Sequence, residues 1–417
     1  MRTPAASALI LYGFLALPLA FAGMPVYLHA PDFYATAYGQ SLTTLGVALL
    51  LLRVFDAVQD PVLGALSDRY AHRRALIMLI GMGGLGGGFY MLFHPHPTHT
   101  LAWFCAAVAL ATTAFSLLGI NLGALGSLWT TDPAAKTRIT TSREAFTLVG
   151  LLLAAITPAI LSQNMPVTEA YHTLTLLMLA CLAVGGLLFL RWLAATPLPR
   201  PAPTPVSLRL FGALLRGHGR FYATYMVSSL ASAIPAVLVL FFIRDRLEAE
   251  AYTGVFLMLY FLAGVAGMPL WSAIAKRKGK YRTWMLAMLL AVVAFVWALF
   301  LQAGDIWMYG LICVVSGLAL GAELALPPSI LSDRIDTAGE QAVSASHFAL
   351  LALLAKLVLA LASGIALPLL GWVGFTPAAA NTMPVLLALS VAYAGLPCLI
   401  KLGAVALIYK NLEPEVR

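Results

Sequence analysis

Apolar runs recur twelve times along the chain, at roughly 7–29, 42–66, 75–93, 101–129, 145–163, 171–193, 221–243, 251–275, 284–303, 306–331, 344–371 and 385–409. A helix needs about twenty apolar residues to cross a bilayer core, so each run is long enough to span. The pattern predicts an all-α membrane protein of twelve transmembrane helices in two six-helix bundles. The polar connections alternate in character. Those after the even runs carry Arg69, Arg73 and Arg74, then Lys136 and Arg138, then Arg200, Arg209, Arg216 and Arg220, then Lys276, Arg277, Lys278, Lys280 and Arg282. Those after the odd runs hold only Arg244 and Arg246. Basic loops stay on the cytoplasmic side, which puts the even connections and both termini there and reads as a multi-pass protein of a bacterial inner membrane.

The longest connection, from Ala194 to Arg220, holds a prolyl stretch, Pro197 to Pro205, followed by a basic amphipathic stretch, Leu208 to Leu215. It reads as a semi-rigid linker and an interfacial helix. It divides the chain into an N-terminal bundle, 1–193, a cytoplasmic linker, 194–220, and a C-terminal bundle, 221–417. A repeat supports the halving: Asp60-Pro61 through Asp68-Arg69 aligns with Met268-Pro269 through Lys276-Arg277 at an offset of 208 residues. Two similar bundles related by an axis along the membrane normal are a transporter architecture.

The apolar pattern is broken most sharply in the second run, where Arg53, Asp56 and Asp60 share one helical face at spacings of three and four. Each unpaired charge inside the bilayer costs about 3 kcal/mol, so that face looks inward, and such a cluster marks a functional site. Two carboxylates so close in a low dielectric cannot both stay charged unaided; one takes a proton or the pair recruits a cation. Arg53 is the charge partner within the cluster. The repeat does not preserve the acids, since Asp56 and Asp60 align with Gly264 and Met268. The C-terminal half instead places Lys356, Lys401 and Glu323 within its runs, and reads as the source of buried cations. Glu323 stands between glycines and Pro327-Pro328, where a broken helix would face a cavity. Asp68, Arg69, Arg73 and Arg74, with Lys276 and Arg277 of the other half, read as a cytoplasmic gate whose contacts break on opening.

Composition narrows the rest. The chain has 417 residues, of which 61% are hydrophobic and 10% charged, which excludes an ordinary soluble domain. Its net charge of +8 lies almost wholly on one side, so it argues for topology and against nucleic-acid binding. Cys105, Cys181, Cys313 and Cys398 fall in separate runs and read as core residues. His94, His96 and His99 share a prolyl loop with no acid or thiol beside them, and no metal site is read there. Neither a His-Glu-x-x-His nor a Gly-x-Ser-x-Gly motif occurs, so the chain is not read as an enzyme. The first run is followed at once by another span and reads as a membrane helix, not a cleaved signal.

Arg53-x-x-Asp56-x-x-x-Asp60-Pro61-x-x-Gly64 resembles the second-helix signature of the glycoside-pentoside-hexuronide:cation symporters, the melibiose permease family within the major facilitator superfamily. Supporting matches are Tyr12-Gly13, Asp132 through Lys136-Thr-Arg138 to Ser142-Arg143-x-x-Phe146, Ser332-Asp333-x-x-Asp336, Lys356-Leu and Leu396-Pro397. The resemblance implies the major facilitator fold and a monomeric symporter without organic cofactor, coupled to a proton or sodium and carrying a small-molecule solute through the lipid bilayer. It implies that Asp56 and Asp60 bind the cation with Lys356 nearby, and that Arg143 lies on the substrate path. Asn121 and Glu323 are added to that path. The chain departs from the family at Ala20, where a sugar-binding aspartate is expected, and at Gly119, so the fourth helix is expected to give the cation no oxygen ligand and a proton is the simpler partner. With Leu15 to Val26 almost free of polar side chains, the solute is sugar-like by family but could be amphipathic. The rival readings are a proton-driven exporter of drugs or lipids and a non-transporting assembly or sensor protein.

Overall fold

The computed structural model describes residues 4–96, 98–199, 204 and 207–411. Twelve helices among them are long and apolar enough to cross a membrane, and no strand occurs among the described residues. In the N-terminal half they are α1 (Ala6–Tyr27), α2 (Leu42–Arg69), α3 (Ala71–Phe93), α4 (Thr100–Leu128), α5 (Pro133–Gln163) and α6 (Val167–Ala195). In the C-terminal half they are α7 (Arg209–Arg246), α8 (Glu250–Lys278), α9 (Lys280–Leu299), α10 (Ile306–Ala338), α11 (Gln341–Trp372) and α12 (Met383–Lys410).

Helices α5 and α7 begin 12 residues before their apolar runs, for local reasons. Helix α5 starts at Pro133, where a missing N–H is harmless, and the Asp132 carboxylate accepts a hydrogen bond from the Ala134 N–H at 3.1 Å, capping the first turn. Helix α7 is continuous with the expected interfacial helix: the two are one element bent at His218, where φ is −119°. Most of the preceding prolyl stretch, with Arg200, lies outside the described residues, as do the chain ends expected on the cytoplasmic side.

The chain divides into two compact units, Met1–Phe211 with Leu331–Leu353, and Gly212–Ile330 with Leu354–Arg417. The N-terminal unit therefore takes in the end of α10 and the start of α11. Its core includes an aromatic knot in which Tyr12 lies 4.9 Å from Trp192 and 5.5 Å from Trp129, ring centre to ring centre. The C-terminal unit is centred on Phe242, Tyr309 and Tyr393, with the two tyrosine hydroxyls hydrogen-bonded at 2.7 Å.

Helix α2 shows how sequence pattern becomes orientation. Leu51, Val54, Phe55, Val58 and Val62 are exposed on its outer face, while Asp56, Asp60 and Gly64 are buried. The buried set recurs every four residues, one stripe of a helix, and the apolar set faces where lipid would lie. Pro61 inside the helix cannot give the N–H that would bond the Ala57 carbonyl, which loosens the ladder beside Asp60.

Candidate functional site: a carboxylate face on the second helix

Asp56 is 6% exposed and Asp60 is wholly buried. Polar groups from three helical segments converge on Asp56. The Ser116 hydroxyl of α4 donates to Oδ1 at 3.2 Å, the Gln59 amide donates to the same oxygen at 3.0 Å, and the Tyr27 hydroxyl donates to Oδ2 at 3.3 Å. Thr113, one turn before Ser116, donates to the Gln59 carbonyl oxygen at 2.7 Å and fixes the amide's direction. Tyr27 is delivered by a π-helical turn, Pro25–His29, that begins where Pro25 interrupts the regular ladder. The Arg53 guanidinium lies over the Tyr27 ring, 4.9 Å from its centre, a cation-π placement that holds the phenol toward Asp56.

Helix α4 is polar on this face, with Ser116 in direct contact with Asp56 and Thr113 reaching it through Gln59, although Gly119 carries no side-chain oxygen. Tyr27, Gln59, Thr113 and Ser116 were all missed in the sequence. A signal existed: Thr113 and Ser116 are three residues apart, so they share a face within an otherwise apolar span. Asn121, assigned to the solute path, is wholly buried, and its amide donates to Ser67 Oγ of α2 at 2.8 Å and to the Leu117 carbonyl at 2.9 Å. In this structure that amide ties α2 to α4.

The expected gate residues separate by burial. Asp68 is fully buried and caps the start of α11: its carboxylate accepts from the Ala345 N–H at 2.9 Å, the Ser346 N–H at 2.8 Å and the Ser346 hydroxyl at 2.7 Å. An anion at a helix N-terminus meets unsatisfied N–H groups and the positive end of the dipole. The buried Arg74 reaches Asp68 at 3.4 Å and the Ser344 hydroxyl at 3.2 Å. Gly64, one turn before Asp68, permits the approach, since a Cβ there would come within 2.5 Å of the Ala349 Cβ. A second tie joins Lys136, 1% exposed, to the Ser332 carbonyl at 2.6 Å and to the Asp336 carboxylate. Charge placement alone assigned Lys136 a topological role, yet it stands in one stretch that carries the family resemblance and its partners stand in another. Arg69 and Arg73 are exposed, as are Lys276 and Arg277 at the end of α8.

Arg143 of α5 lies beside Glu144, with Nε donating to Oε1 at 2.8 Å. In the C-terminal unit, Lys356 of α11 is half-buried. Glu323 and Lys401, read separately in the sequence, meet: Lys401 Nζ lies 2.7 Å from Oε1 and 2.6 Å from Oε2 of Glu323, and both contact Ser232 of α7. Lys401, one of the two cations expected within this half, is thus paired with Glu323 in its own unit.

Comparison with known proteins agrees with this architecture. The family described as MFS/sugar transport protein matches residues 9–410. A comparison with curated proteins finds no match. Among solved structures, a bacterial homologue of the iron transporter ferroportin in its outward-facing state is similar at TM-score 0.70 and 15% identity, covering 97% of this chain and 100% of that one. A variant of the E. coli fucose:proton symporter, FucP, is similar at TM-score 0.68 and 12% identity, covering 95% and 98%. The human organic anion transporter MFSD10 (TETRAN) is similar at TM-score 0.65 and 16% identity, covering 95% and 98%. At these identities the likeness is one of fold.

Proposed function

Because the chain belongs to the MFS/sugar transport protein family, which includes melibiose-permease-like symporters, we propose that this multi-pass membrane transporter is a cation-coupled symporter of a small solute, with its cation site on the Asp56 and Asp60 face of α2. The observation that carries the reading is the polar set around Asp56. A proton needs only the carboxylate it binds. An alkali-metal ion needs several oxygens in a fixed shell, and Asp56, Ser116 and Tyr27 supply the type of ligand that hard cations take. Sodium is therefore the coupling ion proposed. Lys356 serves as the competing cation, and Arg143 as a group on the solute path.

Coupling requires that the bound ion change the relative stability of the access states; an ion held equally in both would drive nothing. The ties of Asp68 and Lys136 to the segment 331–353 are the contacts we assign to the closed cytoplasmic gate of an inner-membrane protein whose termini face the cytoplasm. The test is thermal melting of the purified chain as sodium replaces choline at constant ionic strength and pH. Sodium raises the midpoint in the wild type through preferential binding to the folded state, and Asp56→Asn and Asp60→Asn abolish the rise. A midpoint indifferent to sodium but raised by acidification assigns the site to a proton. Indifference to both removes the cation reading.

A further inference from the structure

The Glu323 cluster is a cation site that already holds a cation, one tethered to the chain. Lys401 Nζ approaches Glu323 Oε2 at 2.6 Å, Glu323 Oε1 at 2.7 Å and Ser232 Oγ at 2.7 Å. An ammonium has three N–H bonds and no acceptor, and here it meets both oxygens of one carboxylate and a hydroxyl oxygen. The geometry is thus that of a receptacle for a primary ammonium, with its fit demonstrated by the occupant.

The two sides of the pair are held very differently. Glu323 is fixed: it also accepts a hydrogen bond from the Ser232 hydroxyl at 2.8 Å. Its helix, α10, lies backbone to backbone on α8, where a Cβ at Gly317 would come within 2.3 Å of the Tyr260 carbonyl oxygen and one at Gly321 within 2.6 Å of the Gly264 carbonyl oxygen. Lys401 reaches the site on a four-carbon stem from α12, a few residues beyond a π-helical turn, Val391–Gly395. Neither side chain is sealed, with 8% of the lysine and 9% of the glutamate exposed. A buried ion pair is a poor way to gain stability, since an apolar pair of similar volume often does as well. The pair also occupies a telling register. The repeat offset of 208 residues puts Glu323 at Phe115, next to Ser116, and puts Gly264 at Asp56. The Asp56 position is thus a glycine in the C-terminal unit, whose acid is carried by α10 instead.

We propose that Glu323, with Ser232, anchors the ammonium group of a cationic solute, and that Lys401 is a built-in occupant which the solute displaces. The inference rests on the transporter reading and narrows its solute to a compound bearing a primary amine, such as an amino sugar or an alkylamine. Displacement exchanges one ammonium for another at the same three oxygens, so charge at the carboxylate is conserved.

The test is melting of the purified full chain at pH 7 with matched probes: n-butylammonium chloride, n-butanol and sodium butyrate, then glucosamine against glucose. The amines raise the wild-type midpoint, and their neutral and anionic counterparts do not. Lys401→Met removes the competitor and lowers the amine concentration for half-maximal shift by about tenfold, as expected if the unoccupied carboxylate is a minor state in the wild type. Glu323→Gln abolishes the shift, and so does the charge-neutral double variant Glu323→Gln/Lys401→Met, which serves if the single variant does not fold. An amine response only in Lys401→Met, a response that survives loss of Glu323, or stabilisation by butyrate instead of butylammonium each overturns the proposal. Asp60→Asn separates the two readings: it retains the amine response, so failure of the sodium assay and failure of the amine assay are independent results.

Discussion

The two buried acidic sites of this molecule lie one in each unit and are finished in different ways. Around Asp56 the partners of the carboxylate include neutral hydroxyls and an amide, while Glu323 is closed by an ammonium of the same chain. Neutral donors can turn and present their oxygens to an incoming ion. A tethered lysine must be pushed aside. On the proposed reading, one side chain placed opposite a carboxylate frees one half of the ion requirement that the other half keeps.

The hardest test of that contrast is transport itself. Asp60→Asn is expected to eliminate accumulation against a gradient in vesicles, with the melting transition of the protein preserved. The Glu323→Gln/Lys401→Met variant keeps its sodium-dependent stabilisation; if the sodium response vanished there and persisted in Asp60→Asn, the roles of the two sites would be reversed. Next in size is the stability cost of opening the lysine site. Lys401→Met alone leaves an uncompensated buried carboxylate and costs about 3–5 kcal/mol, whereas the double variant recovers most of the loss. Denaturant melts of the singles and the double, taken as a cycle, measure this coupling.

Asp68→Ala removes three hydrogen bonds from the start of α11 together with the carboxylate beside the buried Arg74, and is expected to cost about 3 kcal/mol, with faster amide exchange at Ala345 and Ser346 and unchanged sodium and amine responses. A change in either response would tie the gate to that site. Smallest is Ser116→Ala, which deletes one neutral ligand. It weakens sodium binding about fivefold, near 1 kcal/mol, and leaves the amine response alone. Ser232→Ala does the converse.

The twelve spans and the burial of Asp56 and Asp60 were legible because hydrophobic periodicity and buried charge act locally, along one helix at a time, whereas Arg53, expected on the same inward face, is exposed and lies over the Tyr27 ring. The partners of those charges were not. Tyr27 is brought to Asp56 by a turn that breaks helical spacing, and Lys401 meets Glu323 across 78 residues of chain, a pairing that no periodicity encodes. Lys136 had the look of a loop charge because its position between two spans says nothing of the carbonyl at Ser332 that buries it. Asn121 came into view through the family resemblance, which does not disclose that its amide bonds Ser67 of the neighbouring helix.

The π-helical turn at Pro25–His29 has a further consequence for how this site could have arisen. Such a turn carries an additional residue relative to an α-helical turn, and each residue advances a helix by about 100°, so one inserted position rotates everything beyond it. Phe33 and Tyr34, both fully buried, lie beyond that offset in the continuing helix Ala30–Tyr38. Deleting one residue of the turn would restore the regular ladder, swing those rings toward lipid and carry the Tyr27 hydroxyl away from Asp56. A single-codon insertion is thus enough to give an apolar first helix a voice in the chemistry of the second.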